Sequence, residues 1–324
     1  RQRHLTIPCE MCIRDRSRRI KSIGNTKKIT RAMEMVAAAK MRKAVEAVLR
    51  TRTYANLSWE TVLHLSAMAN GDNGLSHALL TKREEIKKAA IILVTSNRGM
   101  CGGYNAAILN KVKDSIKQHP NVPVEFILVG KKGASVYSQN QIVAAEFAKS
   151  DLLYDSKEVV PIAQMIVRDF LNGIYDKIFV AYTDFISPAK QIPRVKQLLP
   201  IDVESDDQYL GIIGDTKVSV TKKMLTDKEQ KHLVPAAGFD YIFEPSPEEV
   251  LDKIIPRLLE VQIYQALLEA NASEHSARMS AMHQATEAAT DMVQELTLFY
   301  NKARQAGITA EIAEISAGAN ALLD

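Results

Sequence analysis

Two uninterrupted helical patterns, one at each end of the chain, limit its fold more than anything between them. In the first, about Ser17 to Asn70, apolar residues recur mostly at three- and four-residue steps: Ile20, Ile23, Ile29, Met33, Val36, Met41, Ala44, Val48. No proline interrupts it, and Gly24 is the only glycine before Gly71. Such a helix is roughly 80 Å long and ends at the turn cluster Asn70-Gly71-Asp72-Asn73-Gly74. In the second, Ser246 suits an N-cap, Pro247 the first helical position, and Glu249 completes a capping box. Its apolar positions run through Val261, Tyr264, Leu268, Met279, Met282, Ala289, Val293, Leu296, Phe299, Ala303, Ile308, Ile312 and Ile315. Pro256 is expected to kink it early; its length is roughly 110 Å. No single domain core is that wide. The two arms must pack on each other as an antiparallel coiled coil or project into a partner. Val36-Ala37-Ala38-Ala39 supplies small side chains for close helix approach.

Between the arms the grammar changes. Ala89–Ser96, Val124–Gly130 and Lys177–Thr183 are short runs rich in Ile, Val and Phe. The amphipathic stretches Asn105–Gln118 and Val159–Asn172 lie between them, the second closed by Gly173 as C-cap. Buried strands alternating with helices predict a mostly parallel sheet, with Gln197–Val203 and Tyr209–Val220 as further strands. The expected fold class is α/β: a long antiparallel coiled coil of N- and C-terminal helices plus a Rossmann-like α/β middle domain. The segments are 1–16, an atypical start read as disordered or extraneous; 17–75, the first coiled-coil helix; 76–243, the middle domain; and 244–324, the second coiled-coil helix. Thr221–Gly238 is polar and has no assignment.

Composition sets outer limits. At 46% hydrophobic and 25% charged, the 324 residues are typical of a globular protein. No apolar run reaches the roughly 18 residues of a membrane span. Charge is distributed unevenly: 13 Lys/Arg against 3 Asp/Glu from Arg14 to Arg52, but 5 against 13 from Glu244 to Asp324. A basic first arm and an acidic second arm attract each other, or the basic face meets an acidic partner. The three cysteines, Cys9, Cys12 and Cys101, form no disulfide framework. Cys9-x-x-Cys12 has no second pair to complete a structural zinc site.

Catalytic chemistry is hard to find. Thr95-Ser96-Asn97-Arg98-Gly99-Met100-Cys101-Gly102-Gly103-Tyr104-Asn105 follows a strand and precedes a helix, where backbone N–H groups can hold an anion. It lacks the Lys-Ser/Thr ending of a P-loop and the glycine spacing of a dinucleotide fingerprint. Cys101 has no His nearby in sequence to activate it. The seven histidines show no metal spacing, and His275 and His283 stand eight apart on a helix. Asp206-Asp207 lacks the glycine and distal Glu of a calcium loop. No catalytic, cofactor or metal site is assigned. The basic run Arg18-Arg19-Ile20-Lys21, Lys27-Lys28, Arg31, Lys40-Met41-Arg42-Lys43 carries no interleaved aromatics to stack bases, so a solvated helix face or a contact with acidic protein loops is the reading.

Several separate motifs, in order, resemble the gamma subunit of F-type ATP synthases. Ile20–Lys43 (IKSIGNTKKITRAMEMVAAAKMRK) resembles its N-terminal signature, Arg98–Gly103 (RGMCGG) its central motif, and Ser273–Met279 (SEHSARM) the start of its closing signature. Glu295–Leu298 (ELTL), Tyr300–Gln305 (YNKARQ) and Ile308–Ile312 (ITAEI) continue that signature. The match spans about Ser17 to Leu323; residues 1–16 fall outside it.

The resemblance implies a rotor: a non-catalytic shaft inside an alpha/beta hexamer, standing with the epsilon subunit on the membrane ring of c subunits. One copy per complex couples proton flow to ATP synthesis in the hexamer, with no nucleic acid involved. By the same resemblance Met33 on the first helix, and Arg278, Gln305, Thr309, Glu311 and Glu314 on the second, are rotor–stator contacts. Arg31, Lys40 and Arg42 face an acidic loop of the beta subunits, and Arg98, Gly99, Cys101, Gly102 and Gly103 form a partner-facing loop. The chain lacks the paired-cysteine insertion of the chloroplast form. That favours a bacterial protein, peripheral on the cytoplasmic face of the inner membrane. Two other readings stay open at this level: a nucleotide-binding enzyme using Gly99–Gly103, and a nucleic-acid-binding coiled coil.

Overall fold

The computed structural model describes residues 7–69, 78–81, 83, 85–120, 122–137, 143–151, 156–201 and 247–321. The turn at Asn70–Gly74, Asp206-Asp207, the expected strand Tyr209–Val220, Thr221–Gly238, the Ser246 cap and the side chains of Cys9 and Cys12 lie outside those residues. In chain order the elements are α1 (Ile7–Ala69), β1 (Ala89–Val94), α2 (Tyr104–Gln118), β2 (Val124–Val129), α3 (Lys131–Tyr137), β3 (Val143–Phe147), a 3-10 turn (Ser156–Glu158), α4 (Val160–Leu171), β4 (Lys177–Ser187), β5 (Lys190–Leu199) and α5 (Pro247–Ala321). The two periodic arms are single helices of 63 and 75 residues. The first begins at Ile7, earlier than its periodicity predicts. Pro256 sits inside α5, which continues through it.

The described residues fall into two compact units, and both long helices contribute to each. One unit is built from residues up to Val36 and from Met279 onward; the other is Ala37–Arg278.

In the larger unit the sheet has the order β3-β2-β1-β4-β5. The first four strands run parallel and β5 returns antiparallel along β4. This 3-2-1-4 parallel order is that of the first four strands of a Rossmann sheet. All six residues of β1 are buried, because alternate side chains fill two different cores. Ala90, Ile92 and Val94 join Ile127, Val129, Ile178 and Val180 against α4 and α5. Ile91 and Leu93 join Phe126 and Leu128 against Ile108 and Val112 of α2. Covering on both faces is why these strands read as continuous apolar runs.

Sequence reading misses β3, whose Val143-Ala144-Ala145-Glu146-Phe147 alternates on a sheet edge. It also starts β5 too late, because polar residues from Lys190 to Gln197 occupy an outer strand. Gly173 closes α4 as predicted, with φ +75° and its N–H donating to the Phe170 carbonyl at 3.1 Å.

The part of α5 from Val261 to Ser276 is buried all round. A coiled-coil helix needs only one apolar stripe; here Ile263, Ala266, Leu267 and Ala270 add a second buried face. Each large aliphatic side chain removed from water contributes about 1.5–3 kcal/mol.

In the smaller unit α1 and α5 run antiparallel. The Thr286 hydroxyl donates to Thr30 Oγ1 at 2.8 Å. His283 Nδ1 lies 3.1 Å from Glu34 Oε1, and Arg16 Nη1 donates to the Phe299 carbonyl at 2.9 Å. Pairing 34 with 283, 30 with 286 and 16 with 299 fixes the direction.

Candidate functional site

The loop between β1 and α2 is held by its own side chains. Ser96 N–H donates to Asn105 Oδ1 (3.0 Å), Ser96 Oγ donates to the Arg98 carbonyl (2.8 Å), and Asn105 Nδ2 reaches Cys101 Sγ (3.3 Å). Two residues take left-handed backbone, Met100 at φ 61° and Gly102 at φ 55°. The second is why glycine stands there. Met100 points its side chain outward. Cys101 is buried among these contacts, and Arg98 and Gly102 are exposed.

The buried stretch of α5 packs directly against this loop. Arg278 Nη2 donates to the Arg98 carbonyl at 3.3 Å and to Glu274 Oε1 at 2.8 Å. Lys149, just after β3, pairs with Glu274 Oε2 at 2.6 Å, the two side chains only 2% and 5% exposed. Burial raises the Glu274 carboxyl, but the charge and hydrogen bond of Lys149 and then those of Arg278 outweigh it and hold it below the ordinary carboxylate range. Asn97 Nδ2 donates to the Lys149 carbonyl (2.6 Å), Asn271 Nδ2 to that of Ser150 (3.2 Å), and Tyr104 OH to that of Ala270 (3.2 Å).

His275 lies 3.2 Å from Arg278 Nη1 through Nδ1 and 3.1 Å from the Asp151 carbonyl through Nε2. Arginine only donates and a carbonyl only accepts, so Nδ1 is bare and Nε2 carries the proton. Burial pushes its pKa down, which keeps that ring neutral. Asp151 in turn pairs with Lys40 of α1 at 2.7 Å. That hydrogen bond holds the Asp151 carboxyl low.

The network brings together Arg98, Cys101, Lys40 and Arg278 among the residues expected from sequence. Two of them, Arg278 and Lys40, also pair within the chain, with Glu274 and Asp151. Lys149, Asp151, Glu274 and His275 escape sequence reasoning; Glu274 and His275 stand inside the Ser273–Met279 motif, whereas nothing in the sequence signals Lys149. Ser273 and Ser276 of that motif donate to the carbonyls of Thr183 (3.0 Å) and Pro188 (2.8 Å), tying the helix to β4 and its turn.

The other expected contacts lie on helix surfaces. Arg31 and Arg42 are exposed, Met33 is half-buried, and Gln305, Thr309, Glu311 and Glu314 are exposed. Beside them Ile308, Ile312 and Ile315 are also exposed, Ile315 by 72%. Among the described residues no cluster of three or more His, Cys, Asp or Glu is placed to hold a metal ion. No helix of the described residues is long and apolar enough to cross a membrane.

An antiparallel helix pair in one unit, and in the other a Rossmann-like sheet clasping the last helix through two separate motifs, define an α/β protein with a coiled-coil helix pair. The ATP synthase family profile matches residues 13–322. The ATP synthase gamma chain of Flavobacterium psychrophilum is 39% identical over 307 residues, covering 94% of this chain and 96% of that one. That of Chloroflexus aurantiacus is 40% identical over 314, covering 95% and 98%. The chain belongs to the family of ATP synthase gamma chains. In fold it is similar to a chain of the central stalk and c-ring of the Tetrahymena thermophila mitochondrial enzyme, with TM-score 0.57, 22% identity, and coverage of 79% of this chain and 99% of that one. It is likewise similar to a chain of the Euglena gracilis mitochondrial OSCP/F1/c-ring structure, with TM-score 0.59, 19% identity, and coverage of 96% and 94%.

Proposed function

We propose that this chain acts as a non-catalytic rotor, coupling ion flow to nucleotide chemistry carried out by the alpha and beta subunits. It stands on the c-ring beside epsilon, peripheral to the cytoplasmic face of a bacterial membrane. The observation that carries the reading is the bare face of α5, where Gln305, Thr309, Glu311 and Glu314 alternate with Ile308, Ile312 and Ile315, all exposed. A monomer has no use for so many outward apolar side chains in one stretch. Met33, Arg31 and Arg42 on α1 and the polar residues of α5 are the direct contacts. Lys40 and Arg278 act through the network they join, setting the pose of the Arg98–Gly103 loop. Coupling follows if this surface contacts different stator states unequally, since equal contact would shift no population.

The test is Met33→Lys in the reconstituted complex. A cation added at a half-buried contact is expected to lower ion pumping per ATP hydrolysed while hydrolysis continues. An unchanged ratio overturns the assignment of Met33.

A further inference from the structure

Away from that network, a second polar cluster lies where α5 crosses β4. Glu269 is fully buried and Asp184 is 6% exposed. The Tyr182 hydroxyl of β4 is the neighbouring neutral donor to the Glu269 carboxyl, but neither carboxyl oxygen of Glu269 completes a well-aligned hydrogen bond among the described residues. The Asp184 carboxyl is its hydrogen-bonding neighbour, and Asp184 Oδ2 is itself held by Arg194 Nε of β5 at 2.8 Å. The other groups facing the pair are Tyr182 from β4 and Lys196 from β5. On α5 itself the amide of Gln265, one turn earlier, is buried with both atoms lacking a partner among the described residues. The nearby contribution of α1 is apolar, Ala44 packing with Phe185 and Ala272.

Two carboxylates cannot hydrogen-bond each other, and a buried carboxylate with no cation bonded to it costs far more ionised than neutral. We propose that Asp184 and Glu269 form a proton-binding site, in which one proton shared between the two carboxyl groups closes α5 onto β4. The proton resides on Glu269, because Asp184 already has the Arg194 guanidinium to neutralise its charge. Glu269 Oε–H then donates to Asp184, and the row Glu269–Asp184–Arg194 carries no net charge. Burial raises both carboxyls in the same direction. On release the proton goes to solvent and leaves two adjacent buried anions, which push helix and strand apart. The folded chain therefore holds a proton that the unfolded chain gives up in the ordinary carboxylate range. Stability conferred by the pair is full at acid pH and falls as pH rises.

The experiment is infrared spectroscopy of the full chain near neutral pH, with carboxyl-labelled glutamate, alongside denaturant unfolding from the ordinary carboxylate range upward. The C=O stretch of a protonated carboxylic acid is expected in the wild type, shifted by the glutamate label and abolished by Glu269→Gln. The wild-type folding equilibrium is expected to weaken, relative to Glu269→Gln, by about tenfold per pH unit from the ordinary carboxylate range up to the pH at which the pair releases its proton. Absence of a label-sensitive acid band overturns the proposal, as does an identical pH slope in the variant just above the ordinary carboxylate range. The wild-type spectrum decides the matter alone if the variant does not fold.

Discussion

Single residues set how firmly the Arg98–Gly103 loop is held. Lys149 and Glu274 are both buried, so removing Glu274 strands Lys149, and removing Lys149 leaves Glu274 with Arg278 as its one cation. Lys149→Met is expected to destabilise the chain by about 3–5 kcal/mol, measured by denaturant unfolding. A loss below ~1 kcal/mol would show that Arg278 suffices as partner. The same carboxylate belongs to a set that titrates in acid. Asp151 is held low by Lys40; Glu125, Asp176 and Glu274 are held low against the opposing effect of burial by hydrogen bonds and cations. A carboxyl depressed in the folded state contributes stability above its unfolded value, and that stability disappears as pH falls through the folded one. Unfolding midpoints are therefore expected to drop below about pH 4, and less steeply in Lys149→Met than in the wild type. A flat acid limb would contradict these contacts.

Elements depend on a few backbone approaches that side-chain patterns do not reveal. Gly130 ends β2 at φ +102°, and a Cβ there would stand 2.3 Å from the Thr95 carbonyl oxygen. That oxygen belongs to the strand-end backbone and cannot swing aside. Gly130→Ala is expected to cost about 2–4 kcal/mol, read from the unfolding midpoint, whereas Gly24→Ala, with nothing within 4 Å, is expected to stabilise α1 by about 0.5–1 kcal/mol. The reverse ranking would mean the β2–α3 turn is not as described. In sequence the glycine at 130 looks like any other loop glycine; only the neighbouring strand gives it a constraint.

At the scale of the whole molecule, the exposed apolar residues of α5 separate folding from assembly. Ile312 and Ile315 are 59% and 72% exposed. Replacing both with Asp is expected to change the unfolding free energy of the chain by no more than about 0.5 kcal/mol each. Binding to the alpha/beta hexamer, measured by co-purification or titration, is expected to fall at least tenfold. Equal binding would remove this surface from the stator contact, and a large loss of stability would mean it is covered within the chain.

How much was legible in the sequence follows the range of the forces involved. Helix periodicity is local, repeating every three or four residues, so the two arms, the parallel sheet signals and the motifs of the family all stood in the sequence. The expected contact residues on helix surfaces were legible only through resemblance, since a solvated polar face and a binding face have the same pattern. Lys149 with Glu274, and Asp184 with Glu269, are more than eighty residues apart and carry no spacing rule. Their partners exist because β3, β4 and α5 are brought side by side, and burial then decides which charge must be paired and which must be neutral. The sequence by itself determined the two long helices and the buried strands between them; tertiary packing decided where the edge strands β3 and β5 lie and that the middle of α5 would be enclosed on all sides. That enclosure turns ordinary polar residues into a clasp.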